Sequence, residues 1–184
     1  MMGGQAIAEV LNGKINPSGK LAMSIPRNVG QIPCFYNHKA SQYSRQFACS
    51  QTGVLYPFGF GLSYTDFHFG EPEIYPQRIT VGESCRVSVK VSNKGKRDGT
   101  AVIQLYIRDD YASLTRPVKE LKAFRRIPLK TGESRKISFH ITPAMLQCWS
   151  VDGKWNTEPG TFSIYVGSSS ADEDLQEMKL EVTK

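Results

Sequence analysis

The chain has 184 residues, of which 40% are hydrophobic and 22% charged, a composition typical of a globular protein and unlike that of a disordered chain. Lys and Arg outnumber Asp and Glu by 23 to 17. No run approaches the roughly 20 apolar residues of a transmembrane helix, and the first residues lack the basic and apolar regions of a secretory signal. The length predicts one domain or two small ones, and we expect no membrane partner.

The first 65 residues predict a helix over 3–12 and little regular structure after it. Ile7, Val10 and Leu11 recur at helical spacing, and Gly13 stands where a helix often ends. A short strand is predicted over 21–25. Residues 27–61 are rich in Pro, Gly and aromatic side chains and have no sustained period. With so few elements, this part is interpreted as a fragment of a larger domain.

From about Tyr64 the sequence changes to short alternating segments separated by turn residues. In one of them Arg125 falls on the same face as Leu121 and Ile127, which predicts a bulge or an edge strand. About seven strands in roughly 100 residues are typical of an immunoglobulin-like or fibronectin-like sandwich. The clearest predicted strands are 86–91, 102–108, 119–128, 134–141, 161–167 and 178–183.

The densest basic region, 116–136, raises the question of nucleic-acid binding. Its charges alternate with apolar residues, as on the solvated face of a sheet, and no recognition helix or zinc-finger spacing accompanies them. We therefore expect no nucleic-acid partner. Cofactor motifs are also missing, because the glycines at 59–61 lack the strand–helix context of a dinucleotide loop.

The four cysteines form no closely spaced pair, so we expect no metal site. Three disulfide pairings are formally possible. Cys85 lies in a strand-like segment and Cys148 is next to Trp149, which favours buried, reduced thiols. The full set is Cys34, Cys49, Cys85 and Cys148.

No residue of the chain is predicted to be catalytic. Among the three histidines, His38 in the sequence Tyr36-Asn37-His38-Lys39 is the most suggestive, and packing is the expected role of the other two. Glycoside hydrolysis needs two acids on either side of the scissile bond, and no such pair stands out. The acids at 109–110 and 172–174 are interpreted as solvated loop charges.

Six aromatic residues lie within fourteen positions, between Tyr56 and Phe69. Such a cluster either lines a glycan cleft or forms a hydrophobic joint between domains, and both interpretations stay open at this point. Trp155 is predicted to be a core or hairpin tryptophan rather than a platform for a sugar.

A series of motifs resembles the C-terminal part of glycoside hydrolase family 3, the family of many β-glucosidases and β-xylosidases. Asn16-Pro17-Ser18-Gly19-Lys20-Leu21 and the motifs at 25–33, 36–39 and 55–65 are similar to the end of its second, α/β sandwich domain. The motifs at 104–106, 115–121 and 159–169 are similar to its fibronectin type III-like domain. The resemblance covers nearly the whole chain, in the order of the family.

The resemblance implies a mainly β fold, in which a remnant of the α/β sandwich (1–65) and a linker (66–74) precede a fibronectin type III-like domain (75–184). It also implies that the aspartate nucleophile and the acid/base glutamate both lie outside this chain. The chain is therefore expected to be the accessory C-terminal portion of a β-glycosidase, inactive alone. Two alternatives are a free-standing carbohydrate-binding or interaction module and one subunit of a split hydrolase.

The expected partners are the catalytic barrel and α/β domains of a parent enzyme, with an oligosaccharide as a further candidate. Ile7, Leu11 and Met23 lack a sheet to cover them, so the first 65 residues are expected to be mobile, to pack on the sandwich or to mediate self-association. Members of the family are often periplasmic or secreted. The candidate glycan or interdomain contacts are Tyr36, His38, Tyr56, Phe58, Tyr111 and Arg116.

Overall fold

A computed structural model describes residues 2–40 and 53–184. Their order is one helix, a long irregular segment with a 3-10 turn at Val29–Gln31, and then eleven strands interrupted by a short α-helix and by a 3-10 turn at Asp172–Asp174. The elements are α1 Gly3–Leu11, β1 Phe67–Phe69, β2 Glu73–Tyr75, β3 Arg78–Thr80, β4 Cys85–Asn93, β5 Gly99–Asp109, β6 Glu120–Leu129, β7 Ser134–Ile141, α2 Pro143–Leu146, β8 Cys148–Trp149, β9 Trp155–Asn156, β10 Gly160–Gly167 and β11 Leu175–Thr183.

The strands form two main sheets that enclose one core, which confirms the predicted sandwich. In the smaller sheet β4 pairs with β7 on one side and with both β1 and β2 on the other. The larger sheet has the order β3-β11-β10-β5-β6 and is antiparallel except for the β3–β11 pair. Side chains of both sheets, among them Val87, Val89, Leu105 and Ile164, form the buried core.

Strand β5 is buried on both faces, whereas its sequence predicts one polar face. Ile103, Leu105 and Ile107 point into the core as expected. On the opposite face, however, Gln104 is 3% exposed and Tyr106 is fully buried. The irregular N-terminal segment (residues 2–40 and 53–66) covers this face and replaces the solvent.

The N-terminal segment packs back on the sandwich, which is one of the three outcomes expected from its sequence. Its main-chain and side-chain bonds reach the turn before β5 and the edge strand β6. Asn16 donates to the Asp98 carbonyl at 2.9 Å, and Arg97 donates to the Gly13 carbonyl at 2.8 Å. Arg126 donates to the Ser18 hydroxyl at 2.8 Å.

The predicted strand at 21–25 is wrong. Leu21 and Ile25 exchange backbone hydrogen bonds with the 55–60 stretch, but only the Ile25–Tyr56 pair forms a bridge and no ladder develops. Pro26 and Pro57 carry no N–H group, so the pairing cannot extend through them. Sequence reasoning also missed β1, β2, β3, β8 and β9, since two or three residues are too few to show an alternation.

Arg125 predicts a bulge or an edge strand, and β6 has both features. Strand β6 is the edge of the larger sheet. Its register against β5 shifts so that Leu105 faces Ala123 while Tyr106 faces Leu121, which leaves Lys122 as the extra residue. The edge position exposes Arg125 to solvent, so its charge costs little.

Three of the cysteines are free thiols, as predicted, and Cys49 lies outside the described residues. Cys85 and Cys148 are buried, and burial raises the pKa of the Cys85 thiol to about 11 and also raises that of Cys148. Within residues 2–40 and 53–184 no helix is long and apolar enough to cross a membrane, and no three metal-ligating side chains come together.

Replacing Gly59 by Ala is expected to destabilise the chain more than the same change at Gly132. Both glycines have positive φ, 79° and 77°, so each substitution costs about 1–2 kcal/mol in backbone strain. A Cβ at Gly59 would also overlap the Gln104 amide, whereas nothing lies near one at Gly132. Displacing that amide leaves buried carbonyls unpaired, which adds about 1–3 kcal/mol. Urea unfolding of both variants measures the difference, and equal losses would contradict the prediction.

Candidate functional site

Two of the candidate residues, Tyr36 and Phe58, lie in the junction between the N-terminal segment and the larger sheet. Their rings stack with centroids 4.2 Å apart and an interplanar angle of 18°. Tyr36 also meets the edge of the Tyr106 ring at 5.9 Å, and its hydroxyl accepts a hydrogen bond from the Leu121 backbone N–H at 3.2 Å. The pair therefore joins the segment to both β5 and β6.

Gln104 completes this junction, and sequence reasoning missed it. Its amide donates to the Gly59 carbonyl at 3.2 Å and to the Ser168 carbonyl at 2.7 Å, and its oxygen accepts from the Tyr106 hydroxyl. Burial raises the pKa of Tyr106, which therefore stays a neutral donor. Gln104 alternates with the apolar residues of β5, so the sequence places it on the solvent side and gives no sign that it is buried.

A cleft of about 450 Å³ opens beside the junction. Tyr36 and His38 line it from the N-terminal segment, and Lys119, Asp172 and Glu173 line it from the sandwich. Lys119 is buried, donates to the Ser170 carbonyl at 2.9 Å and is ion-paired with Asp172. The cleft thus combines aromatic, cationic and acidic walls.

His38 lies in this cleft, and the backbone at His38 and Lys39 contacts the end of the 111–119 loop. Its Nδ1 is 2.9 Å from the Lys39 carbonyl oxygen, which can only accept, so Nδ1 carries a proton. The Val118 N–H donates to the His38 carbonyl at 2.9 Å, and Lys39 forms a bridge with Pro117. The backbone around His38 therefore pins the end of the loop.

The start of the same loop is held by Glu158. The Ser113 backbone N–H donates to this carboxylate at 2.8 Å, and the Ser113 hydroxyl donates to it as well. Arg116 is half-buried and donates to Glu120 at 3.2 Å. Tyr111 is 84% exposed. The loop is thus fixed at both ends and presents Tyr111 outward.

Tyr56 is separate from this arrangement. Its ring packs on Phe60 with centroids 4.9 Å apart, and it stays partly exposed outside the residues that line the cleft. The aromatic cluster read from the sequence is therefore divided: Phe58 joins the inner stack, and Tyr56 and Phe60 form an outer pair. The other three are Tyr64, which lies beneath the Arg97 guanidinium, and Phe67 and Phe69, which pack against the core of the sandwich.

The acids at 109–110 are not the freely solvated charges that the sequence predicts, whereas those at 172–174 are exposed as expected. The Asp109 Oδ2 atom is buried and makes no hydrogen bond within the described part of the chain. Burial raises the pKa of Asp109, and the N–H of Tyr111 opposes this rise. Asp110 accepts from Ser163 and pairs with Lys179 at 3.0 Å, because β10 and β11, the next two strands of the larger sheet, carry these partners. In the second group Asp172 pairs with Lys119, and its side chain is still 82% exposed.

The cleft does not offer the acid pair of a glycosidase among the residues that the structure describes. Its two acids, Asp172 and Glu173, are consecutive, and Asp172 is neutralised by Lys119. General acid and nucleophile need to face each other across the substrate. The arrangement instead suits a contact surface for a polar group or for another part of a protein.

Two family models match the chain. The glycosyl hydrolase family 3 C-terminal domain matches residues 1–64, and the fibronectin type III-like domain matches residues 101–170. The periplasmic β-glucosidase of Salmonella typhimurium is 44% identical over 179 residues, which cover 92% of this chain and 23% of that protein. A β-xylosidase of Formosa agariphila is 45% identical over 185 residues, which cover 99% of this chain and 26% of that protein.

The chain belongs to glycosyl hydrolase family 3. Solved structures agree: a β-glucosidase from Erythrobacter marinus is similar with a TM-score of 0.93 and 43% identity, over 98% of this chain and 24% of that one. A β-glucosidase from Listeria innocua with bound glucose has a TM-score of 0.91 and 36% identity, over 98% of this chain and 26% of that one. The chain thus spans about a quarter of these proteins and corresponds to the C-terminal part of a family 3 enzyme. The resemblance read from the sequence motifs is confirmed.

In this family 3 chain, Asp109→Asn is expected to stabilise the fold more at neutral than at acidic pH. The raised pKa means that the native state binds the Asp109 proton more tightly than the unfolded chain does. Stability is therefore lost as the pH rises above the usual aspartate pKa, about 3.9, and the amide removes this loss. Urea midpoints near about pH 3.5 and pH 7 measure the effect, with the exposed Asp152→Asn as control. A gain that does not change with pH would contradict the prediction.

Proposed function

We propose that this chain is the accessory C-terminal portion of a β-glycosidase, which hydrolyses O-glycosyl bonds with catalytic carboxylates that lie outside the chain. The 1–65 stretch belongs in this proposal to the α/β sandwich of the parent enzyme and 75–184 is the fibronectin type III-like domain. The linker between them, 66–74, also adds β1 and the start of β2 to the smaller sheet. The quarter-length match to β-glucosidases and β-xylosidases supports this assignment. So does the cleft, whose two described acids do not face each other.

The observation that carries the proposal is the uncovered apolar surface of the N-terminal segment. All nine residues of α1 are exposed or half-buried, although the helix is amphipathic. Large apolar side chains left in water mark a surface that another part of a protein can cover. We infer that the catalytic domains of the parent cover it. The exposed large apolar residues of the segment include Ile7, Leu11, Ile15, Met23, Val29, Ile32 and Phe35.

The 111–119 loop and the cleft are proposed as a second region of contact with the parent enzyme or its glycan. Tyr111 projects from a loop that is fixed at both ends, and Arg116 and His38 belong to the same supported region. Tyr36 and Phe58 are proposed as interdomain contacts, since their stack joins the N-terminal segment to β5. Tyr56 is proposed as an outer contact.

A chimera tests this function directly. This chain replaces the matched C-terminal residues of the Salmonella typhimurium β-glucosidase, and the hydrolysis of an aryl β-glucoside is measured. The chimera is expected to be active, whereas the isolated chain is expected to show no turnover. The double change Ile7→Ser and Leu11→Ser is expected to lower the yield of active chimera, because it removes apolar surface from the junction.

Val81→Ser is the matched control, because Val81 is also partly exposed but follows β3 on the sandwich. Its chimera is expected to keep full activity. Turnover by the isolated chain that disappears when one of its own acids is replaced would refute the accessory role. An inactive but folded chimera would refute the assignment to a β-glycosidase.

A further inference from the structure

Both tryptophans of the chain lie side by side on one small hairpin, residues 148–156, and both are largely exposed. Trp149 and Trp155 are cross-strand partners of β8 and β9, with ring centroids 5.7 Å apart and ring planes at 79°. Their exposed fractions are 52% and 65%. Such a pair stabilises a hairpin, but this role does not require two large aromatic faces to remain in water. The exposed faces of the two indole rings are therefore available to bind a ligand.

The tryptophan hairpin is held rigidly. Cys148, at its root, is buried in the sandwich. The Ser150 N–H donates to the Lys154 carbonyl at 2.9 Å, and the Gly153 N–H donates to the Ser150 carbonyl at 3.1 Å. Glu158, just after the hairpin, is tied to Ser113 of the neighbouring loop. A ligand that binds here has little chain entropy to overcome, since the surface is already organised.

The same hairpin also carries exposed polar residues. Asp152, Lys154 and Asn156 are all exposed and supply a hydrogen-bond acceptor, a donor and a group that does both. A protein that covered the whole hairpin would have to remove water from the Asp152 and Lys154 charges, which is costly, and charged groups are depleted at the centre of such interfaces. A sugar is smaller, so it can place C–H groups on the two rings and leave these charges in water.

We propose that the tryptophan hairpin is a carbohydrate-binding surface for β-linked gluco- or xylo-oligosaccharides. The choice of sugar rests on the proposed function, because the relatives are β-glucosidases and β-xylosidases. The binding surface itself rests on the exposed ring pair, on the hydrogen bonds that hold the hairpin and on the exposed charges beside it. A few aromatic faces with a small number of polar groups are the usual composition of a small-ligand site.

The chain contains only these two tryptophans, so its tryptophan fluorescence and its two indole N–H resonances report on this surface alone. The full chain is titrated with cellotetraose and with xylotetraose. At least one sugar is expected to give a saturable fluorescence change, to shift both indole resonances and to protect the rings from acrylamide quenching. Trp155→Leu keeps apolar contact with Trp149 but removes one stacking face, and it is expected to weaken binding by at least about tenfold.

Tyr75→Ala is the matched control, since Tyr75 is an even more exposed aromatic residue and lies on the smaller sheet, and binding is expected to be unchanged. If Trp155→Leu lowers the urea midpoint, Trp149→Leu is tested in its place. Flat titrations with both sugars would overturn the proposal, as would undiminished binding by a folded tryptophan variant. An active chimera with flat titrations refutes this surface alone, whereas saturable binding by a chain whose chimera is inactive refutes the proposed function alone.

Discussion

The structure depends on the burial of β5 on both of its faces. One face contributes Ile103, Leu105 and Ile107 to the core of the sandwich. The other places Gln104 and Tyr106 beneath the N-terminal segment, where Tyr36 packs on Tyr106 and the Gln104 amide bonds to Gly59 and Ser168. Because a buried amide must have its partners, these contacts set where the segment lies on the sheet.

The burial of β5 on both faces explains how the N-terminal segment, which has no core of its own, stays attached to the sandwich. The segment supplies rings and backbone carbonyls, and the sheet supplies the surface that they need. The same attachment reaches the 111–119 loop, because the backbone at His38 and Lys39 pairs with Val118 and Pro117. The cleft, the loop and the uncovered apolar face therefore belong to one connected structure, which suits a part that supports catalytic domains.

Much of the fold was predictable because its signals are local. Residues 134–141 alternate so regularly that the predicted strand has the bounds of β7, and Gly13 ends α1 with the positive φ expected there. Arg125 predicted an edge strand or a bulge, because a charged residue on the same face as apolar residues must still reach solvent. The family motifs located the chain within glycosyl hydrolase family 3. The strand at 21–25 failed because two prolines prevent the ladder that its pattern suggested.

The sandwich, the helix, the buried thiols and the family can be predicted from the residues alone, because periodicity, turn residues and motif order are properties of neighbouring positions. Three-dimensional packing is needed to see that Gln104 and Tyr106 are buried, that Asp109 is withdrawn from solvent and that Trp149 and Trp155 form one exposed surface. Each of these depends on what a distant segment covers or leaves open. Solvation is set by contacts between residues far apart in the chain, and alternation along one strand does not record them.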